Sequence, residues 1–419
     1  MKEKQNKIDR RNFLKTMGAV GLGSALASAK AIGGPNEPSV IDPNAKEKTQ
    51  KPKLPQVPSR KLGKTGVEVP CLSFGANRLD NQIILRNAFQ WGVNYWDTSH
   101  SYVGGNSELN IGQFISKSPQ ERKKLFIVTK ASGAKNIEDV EKRLQTSLER
   151  MNTEYIDLYF GVHGLKEPEQ LTDELRRWVE DAKKRKLIRF FGFSTHKNMS
   201  QCLSAAAKLG WIDAIMTSYN FRLMQDAKMQ AAIDACYKAG IGLVAMKSLG
   251  LRSGHKIKIE TEADKKVAGY FLERGFTQAY VAIKAVLADE RISSACVGMR
   301  SVSEMTANVA AALDKTKLSQ ADMGVLAEYA ELTCSGYCAG CEHICNSALP
   351  NTPYVSDIMR YLMYYNSYGQ HDTARELFAQ IPATVRSRLL SSDYSLAEAR
   401  CPQHLPIAKL IAEAVIKLA

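Results

Sequence analysis

Short apolar runs alternate with amphipathic ones eight times between Cys71 and Leu313, and this rhythm constrains the fold more than any other feature. The strand-like runs are Cys71–Gly75, Val93–Asp97, Leu125–Thr129, Ile156–His163, Arg189–Ser194, Ala214–Ser218, Gly242–Lys247 and Ser294–Gly298. Between them lie segments with helical periodicity. In Asn136–Met151, for example, Ile137, Val140, Leu144, Leu148 and Met151 share one face. Glu167–Lys184, Asp226–Ala239 and Val302–Leu313 follow the same period. Eight strands alternating with helices predict an α/β chain closed into a (β/α)8 TIM barrel. Reactive side chains in that architecture sit at the C-terminal ends of strands, where Asp97, Lys130, His163 and Ser194 fall.

The flanks differ from this body. Residues 1–64 hold 14 Lys/Arg against 5 Asp/Glu, so most of the formal +14 belongs to the N-terminal end. That distribution argues against nucleic-acid binding by the folded part. Asp9-Arg10-Arg11-Asn12-Phe13-Leu14-Lys15, a Gly/Ala-rich run from Met17 to Ala29, and small residues at Ala27-Ser28-Ala29 or Ala29-Lys30-Ala31 follow. This arrangement resembles a twin-arginine export signal over 1–31, and it predicts a periplasmic protein carried across the membrane already folded. The run is too short and glycine-rich to span a bilayer, so contact with membrane is expected only through an uncleaved leader. Residues 32–58 carry six prolines and read as an extended linker.

From about Leu318 the rhythm changes to helical segments around Ala321–Leu332, Ser356–Tyr365, His371–Gln380 and Pro406–Leu418. Five of the nine cysteines lie here. The spacing Cys338-x2-Cys341-x3-Cys345, with Cys401-Pro402 downstream, brings thiolates to one soft metal centre rather than into disulfides. A tight run plus a distant Cys-Pro is a ferredoxin-type pattern, which predicts one [4Fe–4S] cluster in a C-terminal domain over 318–419. Zinc on the same four thiolates is the alternative. Cys334 is a surplus thiol, expected to be free, with replacement of one ligand as the alternative. Cys71, Cys202, Cys236 and Cys296 read as buried small apolar residues.

Asp97, Tyr102, Lys130 and His163 form a proton-delivery set. A phenol is a poor acid near neutral pH, a nearby ammonium lowers its pKa, and a carboxylate keeps that ammonium charged. An imidazole can hold a substrate oxygen beside the phenol. These residues, with Arg60-Lys61-Leu62-Gly63-Lys64-Thr65-Gly66, Phe74-Gly75, Asn106-Ser107-Glu108, Ser147-Leu148-Glu149-Arg150-Met151, Tyr155-Ile156-Asp157-Leu158-Tyr159 and Gly192-Phe193-Ser194, resemble an aldo-keto reductase over roughly 59–313. The resemblance implies hydride transfer between NADP(H) and a carbonyl or alcohol substrate, with Tyr102 as general acid and His163 orienting the carbonyl. It places the cofactor against Ser194, Thr195, Met216 and Met246, with Gly298, Arg300 and Asn308 near the adenosine phosphate. The C-terminal segment resembles the ferredoxin-like domain fused to some members.

The chain departs from that pattern in several places. His163 lies six residues after Asp157 rather than the usual five, which predicts a bulge. Thr195 replaces the asparagine of many members. Met216 replaces the glutamine that holds the carboxamide, and Met246 the aromatic that stacks on nicotinamide. A thioether packs against a ring but makes no amide-type hydrogen bonds. The competing expectation is a non-catalytic barrel that binds a ligand or redox partner protein, with the metal centre as sensor or staple. Hydride carries two electrons and a cluster one, so direct coupling needs a converter such as flavin, for which no motif is visible.

Overall fold

The computed structural model describes residues 54–79, 81–250, 261–352 and 354–419. The leader and residues 32–53 of the linker lie outside these. A hairpin of β1 (Ser59–Lys61) and β2 (Glu68–Pro70) precedes eight parallel strands. These are β3 (Leu72–Gly75), β4 (Tyr95–Asp97), β5 (Phe126–Lys130), β6 (Ile156–His163), β7 (Ile188–Thr195), β8 (Ala214–Ser218), β9 (Gly242–Met246) and β10 (Ser294–Gly298). They close in the order β10-β3-β4-β5-β6-β7-β8-β9, with β10 also pairing β9. The chain is a (β/α)8 barrel.

The barrel interior is filled by Tyr95, Phe126, Val128, Leu158, Phe160, Ala214, Met216 and Val244. Leu62 and Val69 from the hairpin join this cluster, so the hairpin plugs the N-terminal end. Arg60 fixes it there by donating to the carbonyls of Leu287 and Ile292 at 2.5 and 2.8 Å. The Arg60–Gly66 stretch thus serves packing rather than chemistry.

Helix starts follow side-chain caps. Asn136 accepts from Asp139 N, so that helix runs Ile137–Arg150. The single helix expected over Glu167–Lys184 is instead a short turn, Pro168–Gln170, followed by the helix Asp173–Lys184. A capping box between Glu167 and Gln170 closes the first, and the Thr172 hydroxyl accepting from Leu175 N starts the second.

Two motif carboxylates prove structural. Asp157, fully buried on β6, accepts from Arg122 (2.9 Å), Arg189 (2.6 Å) and the Ile127 amide. Glu108 accepts from Thr129 (2.6 Å) and Arg150 (3.1 Å), tying the helix Asn106–Lys117 to β5.

Beyond the barrel, the helix Gln320–Leu332 packs on the helix Glu262–Glu273, with the Tyr329 hydroxyl donating to Asp264 at 2.8 Å. A separate apolar core then forms around Val355, Ile358, Leu362, Phe378, Leu389, Ile407 and Ile411. It includes Cys345 and Cys401. Among the described residues no helix is long and apolar enough to cross a membrane.

Candidate active site at the C-terminal mouth

Asp97 ends β4 and Lys130 ends β5, adjacent strands whose register brings Asp97 beside Val128. Lys130 is fully buried and donates to Asp97 Oδ1 at 2.6 Å and to the Thr98 carbonyl at 2.7 Å. Burial opposes the ammonium, but the charge and hydrogen bond of Asp97, with smaller contributions from Tyr102 and Cys296, together outweigh it and raise the Lys130 pKa. Its Nζ stands 4.8 Å from the centre of the Tyr102 ring.

Tyr102 opens a tight turn, Tyr102–Gly105, in which Val103, Gly104 and Gly105 all have positive φ. Val103, a β-branched residue at φ 52°, is held in a conformation costing about 1–2 kcal/mol. Strain of this kind collects where the fold must aim a side chain. Burial pushes the Tyr102 phenol up to about 12, with Lys130 pulling in the opposite direction. The expected lowering by Lys130 is therefore present but outweighed by burial.

His163 ends β6 and reaches the same space, its ring centre 6.2 Å from that of Tyr102 in an edge-on approach. The anticipated bulge exists: the β6–β7 register shifts between Phe160 and Val162. Gly161 sits in that shift, and a Cβ there would lie 2.5 Å from Phe191. The His163 Nδ1 meets Ser132 Oγ at 2.8 Å, and Ser132 in turn meets the Ser99 hydroxyl. Burial first, then the charges of Lys130 and Arg360, depress the imidazole to about 3, leaving it neutral.

The residues assigned to a nucleotide divide into two groups. At the rim, Gly298 ends β10, Arg300 is exposed with only its backbone amide held by Glu304, and the buried Asn308 has its Nδ2 without a partner. Toward the barrel axis, Ser194 Oγ accepts from the Gly164 amide at 3.2 Å. The Thr195 hydroxyl is engaged by the carbonyls of Leu165 and Lys197 at 2.7 and 2.8 Å. Met216 is buried and Met246 partly so, both in the interior cluster. The phosphate end thus has unused donors, whereas the carboxamide end offers thioethers and hydroxyls already in use.

The thiols of Cys338, Cys341, Cys345 and Cys401 gather closely enough that each of Cys341 and Cys345 is raised by burial and then by the other thiols of the set. All four are free, and among the described residues no group of three or more His, Cys, Asp or Glu stands at metal-binding positions. Cys334 opens the short turn Cys334–Gly336. Cys71, Cys202, Cys236 and Cys296 are buried in the barrel, as their sequence context suggested.

Sequence reasoning did not single out Ser99, Ser132, His196, Lys247 or Arg360 as site residues. Ser132, two residues beyond Lys130 on the same strand end, was findable by position. Arg360 was not: it lies in the helix Val355–Tyr368 and donates to the His196 carbonyl at 3.4 Å.

Comparison with known proteins agrees with this fold. The aldo/keto reductase family profile matches residues 74–331. L-galactose dehydrogenase of Arabidopsis thaliana is 26% identical over 302 residues, covering 66% of this chain and 94% of that protein. An aldo-keto reductase of Schizosaccharomyces pombe, yakc, whose name carries NADP(+), is 30% identical over 219 residues, 46% of this chain and 62% of its own length. Among solved structures, the holo form of aldo-keto reductase AKR11C1 from Bacillus halodurans superposes with a TM-score of 0.56 at 22% identity, covering 65% of this chain and 96% of that one. That likeness supports the fold. With the profile spanning well over half of the chain, this oxidoreductase-type barrel belongs to the aldo/keto reductase family.

Proposed function

We propose that the chain reduces a carbonyl, or oxidises the matching alcohol, with NADP(H) as hydride carrier and Tyr102 as general acid and base. The supporting observation is buried Lys130, held by Asp97 beside the Tyr102 ring, with neutral His163 edge-on to the same phenol. When bound, the nicotinamide supplies or accepts hydride at the carbonyl carbon. Gly298, Arg300 and Asn308 would hold its phosphate end, since a guanidinium and a free amide suit an anion. Ser194, Thr195, Met216 and Met246 would line the nicotinamide.

A phenol with a raised pKa stays protonated until negative charge develops on the oxygen it faces. The ammonium of Lys130 then stabilises the phenolate left behind, and Asp97 holds that ammonium in place. The short contacts from Ser99 to Ser132 and from Ser132 to His163 Nδ1 support a chain of hydroxyl donors, which leaves Nε2–H to bind the carbonyl oxygen.

We also assign Cys338, Cys341, Cys345 and Cys401 to one [4Fe–4S] cluster, with zinc as the alternative. Four otherwise unused thiols in one apolar corner are the support, and a 1:4 ratio of protein to iron by elemental analysis is expected. The leader suggests twin-arginine export to the periplasm with cofactors already loaded.

The test combines binding and turnover. Full-length, anaerobically purified protein should quench NADPH fluorescence and oxidise NADPH with aldehydes. Tyr102→Phe should lower turnover about 10²–10⁴-fold while retaining NADPH binding. Absence of both binding and turnover in the parent protein would instead favour the non-catalytic barrel.

A further inference from the structure

Two cations, Lys247 and Arg360, lie close to His196 at the mouth of the barrel. Lys247 follows β9 directly at φ 53°, a strained conformation for a side-chain-bearing residue. The turn is fixed by two donors to the Lys247 carbonyl, Asn220 Nδ2 and the Gly250 amide, each at 3.0 Å. The ammonium is thereby aimed toward the helix Val355–Tyr368, 5.8 Å from the centre of the Tyr364 ring. Arg360 approaches from that helix and reaches the His196 carbonyl. Among the described residues neither cation takes part in an ion pair. Lys197 at the same mouth is matched twice, by Asp357 at 2.6 Å and Glu342 at 2.9 Å.

Lys247 and Arg360 are half-buried, and partly desolvated positive charge without an ion-pair partner attracts an anion. The Arg360 guanidinium contributes, after burial, to depressing His163, His196 and Lys247 alike, so one charge reaches three groups around the same space. It reaches the ends of β6 and β7, four and three strands from β10 and the rim assigned to nucleotide phosphates, whereas Lys247 follows β9, the neighbour of β10. A guanidinium fork beside an ammonium suits a carboxylate or a phosphate ester.

We propose that Lys247 and Arg360 form an anion seat over the active site, so that the preferred carbonyl substrate carries an anionic group. This rests on the reductase reading. Both cations also face Cys338, which makes the thiolate centre the competing anion.

Steady-state reduction of 4-carboxybenzaldehyde and of its methyl ester by full-length holoprotein separates these roles. The parent protein should favour the acid by about tenfold or more in kcat/KM, the size of one charge-assisted hydrogen bond. Arg360→Gln and Lys247→Met should each bring the acid-to-ester ratio toward one. Because the ratio is internal to each variant, general loss of activity or folding cancels. No preference in the parent, or an unchanged ratio in both variants, overturns the seat. An unchanged ratio with an altered reduction potential of the metal centre assigns the cations there and also overturns it. Should turnover be absent altogether, calorimetric titration with terephthalate decides: binding weakened about tenfold in Arg360→Gln sustains the seat, and no binding rejects it.

Discussion

Tyr102, Lys130 and His163 share one buried space yet meet it with different ionisation. Lys130 keeps its proton because Asp97 is 2.6 Å away, Tyr102 keeps its own because burial outweighs that ammonium, and His163 stays neutral. The imidazole carries a consequence for stability. Its folded pKa, about 3, lies below the ordinary 6.5, so below pH 6.5 the unfolded chain takes up a proton that the folded chain refuses. This contribution to stability is complete above about pH 6.5 and is lost progressively as pH falls toward 3. His196 is depressed in the same direction, first by burial. Urea midpoints measured between about pH 7 and about pH 5 should therefore fall, and fall less steeply in His163→Asn. Equal slopes in the two proteins would show that His163 titrates normally when folded.

Among the elements, β6 depends on a residue with no side chain. Its register shift delivers His163 to the mouth one residue later than an unbroken strand would, and Gly161 leaves room for the Phe191 ring there. Gly161→Ala places a methyl 2.5 Å from that buried ring. The expected outcome is a loss of about 1–3 kcal/mol in unfolding free energy by urea titration, the range for overpacking a core. A larger fall in kcat than in NADPH affinity should accompany it, because the bulge sets the aim of His163. The sequence carried most of this: the extra residue between Asp157 and His163 foretold the bulge, and the short apolar runs and the 3.6-residue period marked the strands and the longer helices. It was silent where contacts join residues far apart in the chain. Nothing local to Arg360 marks it as a neighbour of His196, since a lone arginine on an amphipathic helix looks the same whether it meets solvent or a barrel mouth. The Pro168 turn was missed for a nearer reason, because apolar periodicity continued through it and only the Glu167–Gln170 and Thr172 caps divide it.

In the whole molecule, polar contacts tie the barrel and the C-terminal helices together at the mouth. Asn198 N donates to the Gly340 carbonyl at 2.9 Å, and its side chain accepts from His343. Gly340 has φ +81°, and a Cβ on it would lie 2.2 Å from the His196 carbonyl, so only glycine lets the two backbones meet. Arg222 stacks on Tyr329 and Tyr337 at 5.1 and 5.5 Å. Lys197 is the strongest tie, a buried ammonium between Glu342 and Asp357 from two different helical segments. Removing it leaves two buried carboxylates unmatched, which costs about 3–5 kcal/mol where one partner of a buried pair is lost. Lys197→Met retains the length of the side chain and removes only the charge. The parent protein should unfold in urea as one cooperative transition, and Lys197→Met should lower the midpoint and separate the helices from the barrel into an earlier step. Tryptophan fluorescence follows the barrel, which holds Trp91, Trp96, Trp178 and Trp211, while far-ultraviolet dichroism follows both parts. The dichroism change should therefore precede the fluorescence change. Coincident transitions at an unshifted midpoint would mean that the apolar contacts hold the helices without Lys197. Because Arg360 rides on the same helix as Asp357, the early step should also abolish any preference for anionic substrates before the barrel itself unfolds.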